Sequence, residues 1–545
     1  MAKLSQEFCP TSNCTCDTQR CERTFIFQFV LHNTRKNITL KSMKINKWFN
    51  YTAVGAGLFT SPVLLAGTAT WFTPLTQSTP VNGAQNAGTN TAAELAAPFT
   101  TPEGIQQVNW VSLAEVENAV LSPGQSVGRA AGQGSSASMF DMLALNPSGT
   151  HIFIPHESPV GAGVTRYNIA TRHADLLFQG DLGGLSGNWS NDWGAFDPAR
   201  WTPNSTIWLA EEWAGQGRVI EVTNPMADPK DIVIRELNRI PNVAHEGINF
   251  SLRYKDTIYF IDEYNSGSIY KAVFSNPADY TAAAQVFVLK VDAYAGSASL
   301  NYNDASNVAN RTGIATWVPL TDTSGTPLPS VTDPFTGFNP NTISGGRKSA
   351  DDVGATPYGR PEDMVVSRLA NGSEVLYFTA TSEAAVYTVE IMSKTKVKVG
   401  IFCNASTPKN VGFASTTGSL NSPDNLAMDA AGNIYIIEDS PNNVAQGAAG
   451  GDTWFARDIN NDGVAESLDH FLSLPINGAE ATGMIFNPIK PTEFYMCVQH
   501  PNSTNLAIDS NGFGDAVWAF DLKDIPNQRF VKALNRGRLR SFTNQ

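Results

Sequence analysis

One short unit recurs six times between residues 142 and 500: an apolar strand, a polar turn, a second strand that usually carries an aromatic, and a polar or acidic end. The copies are "MLALNPSGTHIFIPHE" (142–157), "GAFDPARWTPNSTIWLAEE" (194–212), "INFSLRYKDTIYFIDE" (248–263), "MVVSRLANGSEVLYFTATSE" (364–383), "LAMDAAGNIYIIED" (426–439) and "MIFNPIKPTEFYMCVQH" (484–500). Short runs of Ile, Val, Phe, Tyr and Leu separated by turn residues read as β-hairpins. A repeated hairpin cannot bury its apolar face alone, and copies stacked around an axis can. The chain is therefore expected to be all-β, a six-bladed β-propeller with insertions. The alternative is a β-sandwich whose hairpins coincide by chance. The 44 Gly and 31 Pro among 545 residues suit many short strands joined by turns, and a 42% apolar content is ample for a core.

The propeller is expected to occupy residues 105–545. Ahead of it, "MKINKWFNYTAVGAGLFTSPVLLAGTAT" begins at Met43 with Lys44 and Lys47, then an apolar run from Tyr51 to Ala66, then small residues. That is the order of a secretory leader, expected over 43–69, and the run is short for a membrane span. Residues 1–42 precede it and read as an extension upstream of the true start at Met43. They hold Cys9, Cys14, Cys16 and Cys21 in a spacing that matches no zinc pattern. Residues 70–104, rich in Pro, Thr, Asn and Ala, read as a linker or arm. The mature chain then has Cys403 and Cys497, either as one disulfide or as two buried thiols. A net charge of −13 argues against a nucleic-acid partner, which needs a basic face, and leaves acids available for cations.

The strands of a hairpin are antiparallel, so the start of the first and the end of the second share one end. Acids stand at both. Asp141, Asp192, Glu246, Glu362, Asp424 and Glu480 lead the first strands. Glu157, Glu211 with Glu212, Asp262 with Glu263, Glu383, and Glu438 with Asp439 trail the second, and His500 ends the last copy. In a propeller the first strands line the central channel, so these acids form a ring at one mouth. Such a ring repels itself unless a cation sits inside it. Carboxylates favour hard cations, and calcium is expected first because it accepts many oxygens in flexible geometry. A separate stretch, "DINNDGVAESLD", sets Asp458, Asn460, Asp462 and Asp469 at positions one, three, five and twelve of a calcium loop, with Gly463 at six. A peripheral, structural calcium is expected there.

At "HEG", "DDVGATPYGRPEDMVV", "SPDNLAMDAAGNIYIIED" and the run from "TGMIFNP" to "FYMCVQHP", the sequence resembles the PhoX family of secreted alkaline phosphatases, over about residues 105–520. The resemblance implies a six-bladed propeller with an iron and calcium cluster at the channel mouth that hydrolyses phosphate monoesters. It implies metal ligation by Glu157, Glu211, Glu246, Glu362 and Asp424, with Glu212 as a further ligand. It implies that Arg360 faces the substrate as a cation, beside Glu362. A guanidinium suits paired phosphate oxygens and the charge of the transition state. The family's iron-binding Cys lies ahead of the "EE" motif. Here that stretch reads "GNWSNDWGAFDPARWTPNSTIWLAEEW", with Trp189 and Ser190 and no Cys. Calcium is therefore expected ahead of iron.

The expected protein is a periplasmic or secreted monomer that acts on a small phosphorylated substrate by metal-assisted hydrolysis. A lactonase-like or phytase-like calcium propeller and a non-catalytic binding propeller are the alternatives. No G-x-S-x-G elbow, P-loop or dinucleotide fingerprint supports a serine hydrolase or a nucleotide fold.

Overall fold

All six hairpins read from the sequence form antiparallel pairs in the computed structural model. The structure describes residues 72–81, 90–112, 139–213, 217–302, 310–335, 345–441, 447–501 and 515–542. The cysteine-bearing extension and the leader lie outside them. Strand β1 (Gln106–Ser112) comes first. Two meanders follow: β2–β5 (Ala144–Leu145, His151–Pro155, Gly163–Asn168, His173–Gln179) and β6–β9 (Phe196–Trp201, Ile207–Glu211, Val219–Val222, Ile234–Glu236). Next come β10–β13 (His245–Phe250, Thr257–Asp262, Ile269–Phe274, Ala284–Val291), β14 (Gly313–Pro319) and β15–β18 (Pro361–Arg368, Glu374–Ala380, Ala385–Ile391, Lys396–Asn404). The last are β19–β22 (Pro423–Met428, Ile434–Glu438, Gly451–Arg457, Ser467–Leu474) and β23–β25 (Glu480–Phe486, Glu493–Gln499, Ala516–Asp521). The helices are α1 (Ala92–Leu95), α2 (Gly345–Val353) and α3 (Gln528–Phe542).

The arrangement is propeller-like. Four sheets have four strands each, and one of these is completed by β1, which pairs with β25. A nine-stranded sheet holds two meanders, β10–β13 and β15–β18, joined where β14 pairs with both β13 and β18. Apolar clusters lie between neighbouring meanders. Trp208 on β7 packs against Phe250 and Tyr280 with ring centroids 4.9 and 4.7 Å apart. Tyr435, Phe455 and Phe471 meet Phe486 and Phe494 of the next sheet. Large rings dominate because alternate residues of each strand face a neighbouring sheet, and an aromatic there buries the most apolar area.

First strands stand side by side around an axis, tied by a belt of hydrogen bonds. Ala199 N–H donates to Met142 O (3.0 Å), and Arg200 Nε to Ile248 O (2.8 Å). Asn249 Nδ2 donates to Met364 O (2.5 Å), Leu426 N–H to Asp363 Oδ2 (2.9 Å), and Gly483 N–H to Asn425 Oδ1 (2.5 Å). Thr482 Oγ1 donates to Asp141 and closes the circle. Each bond satisfies a polar group that the channel wall would otherwise bury unpaired.

The described parts of the arm pack on this unit. Phe72 is buried and meets Phe455 and Phe471 edge-on, and Thr100 bridges to Ser473. Cys403 and Cys497 are free and buried, and the Cys497 thiol donates to Asp141 O (3.4 Å). No helix among the described residues is long and apolar enough to cross a membrane.

Candidate metal centre

Four first strands carry an irregularity at the same place, between Phe196 and Ala199, His245 and Ile248, Pro361 and Met364, and Pro423 and Leu426. Two residues there oppose one on the partner strand, and such bulges re-aim a side chain. The first residue of each bulge is an acid: Asp197, Glu246, Glu362 or Asp424. Asp141 follows Phe140, which bridges to His156 at the matching point of another hairpin. In the remaining hairpin the bulge begins at Gly483, where φ is +61° and a Cβ would lie 2.6 Å from Asp141 O. No acid fits there. Gly247 is required for a similar reason, since its Cβ would lie 2.4 Å from Met364 N.

The second strands return at one register. N–H groups of Glu157, Glu212, Glu263, Thr381 and Asp439 donate to carbonyls of Met139, Ala195, Ala244, Arg360 and Ser422, at 2.8 to 3.0 Å. Met139, Ala195, Arg360 and Ser422 hold φ between 48° and 53°, each two residues before its bulge acid. Left-handed backbone costs about 1–2 kcal/mol for a residue with a Cβ. Such strain tends to be stored at functional sites, and here it recurs at one register.

These two registers supply eight carboxylates to one place, and Glu480, the first residue of β23, supplies a ninth. Oxygens of Asp141, Glu157 and Asp197 lie within 4.8 Å of one another. So do those of Asp197, Glu212 and Glu246, of Glu246, Glu362 and Asp424, and of Asp424, Asp439 and Glu480. Consecutive groups share a carboxylate, so the set is one continuous arc. Burial, then repulsion from Glu212, Asp141 and Asp197, pushes the Glu157 carboxyl well up. Burial likewise raises Glu246, helped by Asp197 and Glu362, and Asp424, helped by Glu362 and Glu480. Asp141 is pushed up to about 7 by burial and by Glu480. Glu246 Oε2 is buried without a hydrogen-bond partner among the described residues. A buried acceptor without a donor is costly, and a cation among several carboxylates removes that cost. The arc can therefore hold a metal ion, and its all-oxygen donors suit a hard cation.

Of the acids expected to bind metal, Glu157, Glu212, Glu246, Glu362 and Asp424 lie in the arc. Glu211 does not. It accepts from Arg218 Nε (2.7 Å) and Nη2 (2.8 Å) and from Gly194 N–H (3.0 Å). Successive strand residues point to opposite faces, so Glu212 faces the arc while Glu211 faces away. Asp262 and Glu438 follow the same rule, pairing with Arg347 and with Trp454 Nε1 (2.9 Å). Glu212→Gln is expected to lower bound metal, and to lower the melting temperature only as far as that metal is lost. Glu211→Gln is expected to retain metal and cost about 1.5–3 kcal/mol, the worth of a hydrogen bond to a charged group. Elemental mass spectrometry and urea titration separate the two.

Asp192 is a loop clamp, accepting from Gly161, Gly184 and Trp193 N–H groups at 2.8 to 2.9 Å. Asp197 takes the place expected for it. The signal for Asp197 is spacing: each bulge acid stands two residues before an apolar residue, in "DML", "DPA", "EGI", "EDM" and "DNL". In the peripheral loop, Asp458 accepts from Asp462 and Gly463 N–H groups (3.1 and 2.8 Å), and Asn460 Nδ2 donates to Asp462 (3.0 Å). Asp469 lies on β22 instead, accepting from Arg457 Nη2 (2.8 Å) and Ser467 Oγ (2.7 Å). The structure does not gather it with the other three.

Arg360 stands at the edge of the arc. Its Nη2 lies 2.9 Å from Glu362, its Nη1 3.8 Å from Asp439, and its Nε donates to Glu263 (2.7 Å). These carboxylates hold the guanidinium firmly protonated. Its side chain is 21% exposed.

A solved structure of Pseudomonas fluorescens PhoX with vanadate, a transition-state analogue, is similar to this chain. It is 15% identical, with a TM-score of 0.53 over 83% of this chain and 97% of that one. A catalytically inactive virginiamycin B lyase from Staphylococcus aureus, solved with quinupristin, is 11% identical at a TM-score of 0.35, over 77% and 99% of the two chains. No curated protein matches the chain. The profile of the family described as alkaline phosphatase PhoX matches residues 191–502, a stretch that holds Asp197, Glu246, Arg360, Glu362, Asp424 and Glu480. That match spans more than half of the chain, which belongs to the PhoX family of alkaline phosphatases and so among phosphoric monoester hydrolases.

Proposed function

We propose that the protein is a periplasmic or secreted, metal-dependent phosphatase that hydrolyses small phosphate monoesters at the carboxylate arc. The observation that carries this reading is the arc of nine carboxylates, seven of them buried and Glu212 and Asp439 half-buried, beside a partly exposed Arg360, within a family of phosphatases. The scaffold is read as six blades, counting the nine-stranded sheet as two blades bridged at their outer edges by β14. Export follows from the leader-like stretch at 43–69, and a monomer is the expected state.

Glu157, Glu212, Glu246, Glu362 and Asp424 would hold the metal, joined by Asp141, Asp197, Asp439 and Glu480. Calcium is the first candidate, because the donors are oxygens from flexible acids. Iron is the second, since ferric iron is also a hard cation. When bound, such ions supply Lewis-acid polarisation of phosphate oxygens. Arg360 binds a phosphate oxygen through its exposed edge and stabilises the negative charge that builds on it. Glu362 holds Nη2 and so keeps that edge turned to the arc.

The test is to purify the full chain without chelators, measure its metals by mass spectrometry and assay p-nitrophenyl phosphate. Calcium together with turnover is the expected result. Protein that folds with neither bound metal nor turnover would sink the reading. Arg360→Ala is expected to lower kcat by about 10²–10³, as for loss of a donor to developing charge, with metal content unchanged.

A further inference from the structure

We infer that Glu263 is the positioning residue for Arg360 and does not share in holding metal, although it occupies a register that elsewhere supplies arc carboxylates. This rests on the phosphatase reading above. Five hairpins return through the same backbone hydrogen bond, at Glu157, Glu212, Glu263, Thr381 and Asp439. Glu157, Glu212 and Asp439 each belong to a group of three oxygens within 4.8 Å. Glu263 belongs to no such group among the described residues. Its Oε1 accepts from Arg360 Nε at 2.7 Å instead.

The exception has a cause in the neighbouring hairpin. Arg360 belongs to the one whose trailing residue is Thr381, which carries no charge. The cation there takes its carboxylate from the adjacent hairpin. The backbone makes the same link, with Arg360 N–H donating to Tyr264 O at 2.9 Å. Residues 263 and 264 thus grip Arg360 by side chain and by main chain. A guanidinium is a rigid planar fork, so fixing Nε fixes where the other two nitrogens point. Here they point to Glu362 and Asp439, into the arc. Residues 262–264 are themselves fixed by α2, because Arg347 pairs with Asp262 and lies 3.9 Å over the Tyr264 ring.

The test compares the full chain with Glu263→Ala, Glu263→Gln, Arg360→Ala and the Glu263→Ala/Arg360→Ala double variant. The readouts are bound metal, inorganic phosphate affinity by calorimetry, and p-nitrophenyl phosphate kinetics. Metal content is expected to match the parent in every variant. Glu263→Ala is expected to lower kcat by about a hundredfold, the scale of a misplaced catalytic group. Glu263→Gln keeps an acceptor for Nε and is expected to recover most of that loss. The double variant is expected to be no worse than Arg360→Ala, since the two residues act as one unit. Loss of metal in Glu263→Ala would make Glu263 a ligand and overturn the inference. So would losses that multiply in the double variant, or Glu263→Ala kinetics equal to the parent. A parent protein that neither binds phosphate nor turns over would sink the phosphatase reading itself, and this inference with it. Glu263→Gln is nearly isosteric, so it separates positioning from misfolding.

Discussion

Removing metal with a chelator is expected to abolish hydrolysis of p-nitrophenyl phosphate and to lower the melting temperature in the same step. The rate effect follows from lost Lewis-acid stabilisation, worth several kcal/mol. At about 1.4 kcal/mol per factor of ten, the fall is about a thousandfold or more. The stability effect follows from the register of the acids. They come from all six hairpins, so an ion among them braces the ends of first and second strands alike. Without it, like charges face one another within 4.8 Å in a buried place. A ligand present at a thousand times its dissociation constant contributes about 4 kcal/mol to the folded state. Calorimetry with and without chelator, followed by calcium or iron addition, measures both effects. Unchanged melting and turnover in protein shown to be free of metal would remove the arc from the function.

Arg347→Ala is expected to cost about 3–5 kcal/mol of stability, because it leaves a buried carboxylate without its cation. The Arg347 side chain is 3% exposed and that of Asp262 is 0% exposed. Two parallel bonds join them, with Nε donating to Oδ2 at 2.7 Å and Nη2 to Oδ1. After truncation, Asp262 Oδ1 keeps the Ala244 N–H (3.1 Å), which cannot balance a full charge. The midpoint of urea unfolding reports the loss. Lys348→Ala, one residue along and on an exposed part of α2, is expected to change stability by less than about 0.5 kcal/mol. Replacing both partners, Arg347→Met with Asp262→Leu, is expected to recover most of the loss, since a packed apolar pair often matches a buried ion pair. A wild-type midpoint for Arg347→Ala would refute the account of how α2 is attached.

The hairpins were legible because their period of two and their turns are local properties. "HEG", "RPE" and "SPD" were legible as acid positions because each stands directly ahead of an apolar strand. Which of two adjacent acids faces the arc was harder. "AEE" offers Glu211 and Glu212, and only strand alternation with Arg218 opposite assigns them. Asp197 was missed for Asp192 because a bulge depends on how two strands pair, and a list of acids does not contain that pairing. Asp469 was misplaced in a similar way. A twelve-residue loop pattern counts along the chain, whereas Asp469 belongs to β22 and answers Arg457 on β21. The salt bridges of Arg347 and Arg360 span 85 and 97 residues, distances at which sequence spacing carries no signal.

The pairing of β1 with β25 has a consequence for how the protein is made. The strand at residues 106–112 leaves the ribosome long before its partner at 516–521. The sheet that joins them cannot assemble before β25 has been made, and the circle stays open until then. Contacts this distant in sequence are slow to form. Once shut, the ring has its first and last described strands, β1 and β25, held in one sheet, so neither is a loose strand from which to unravel. The protein is therefore expected to fold slowly and to unfold slowly.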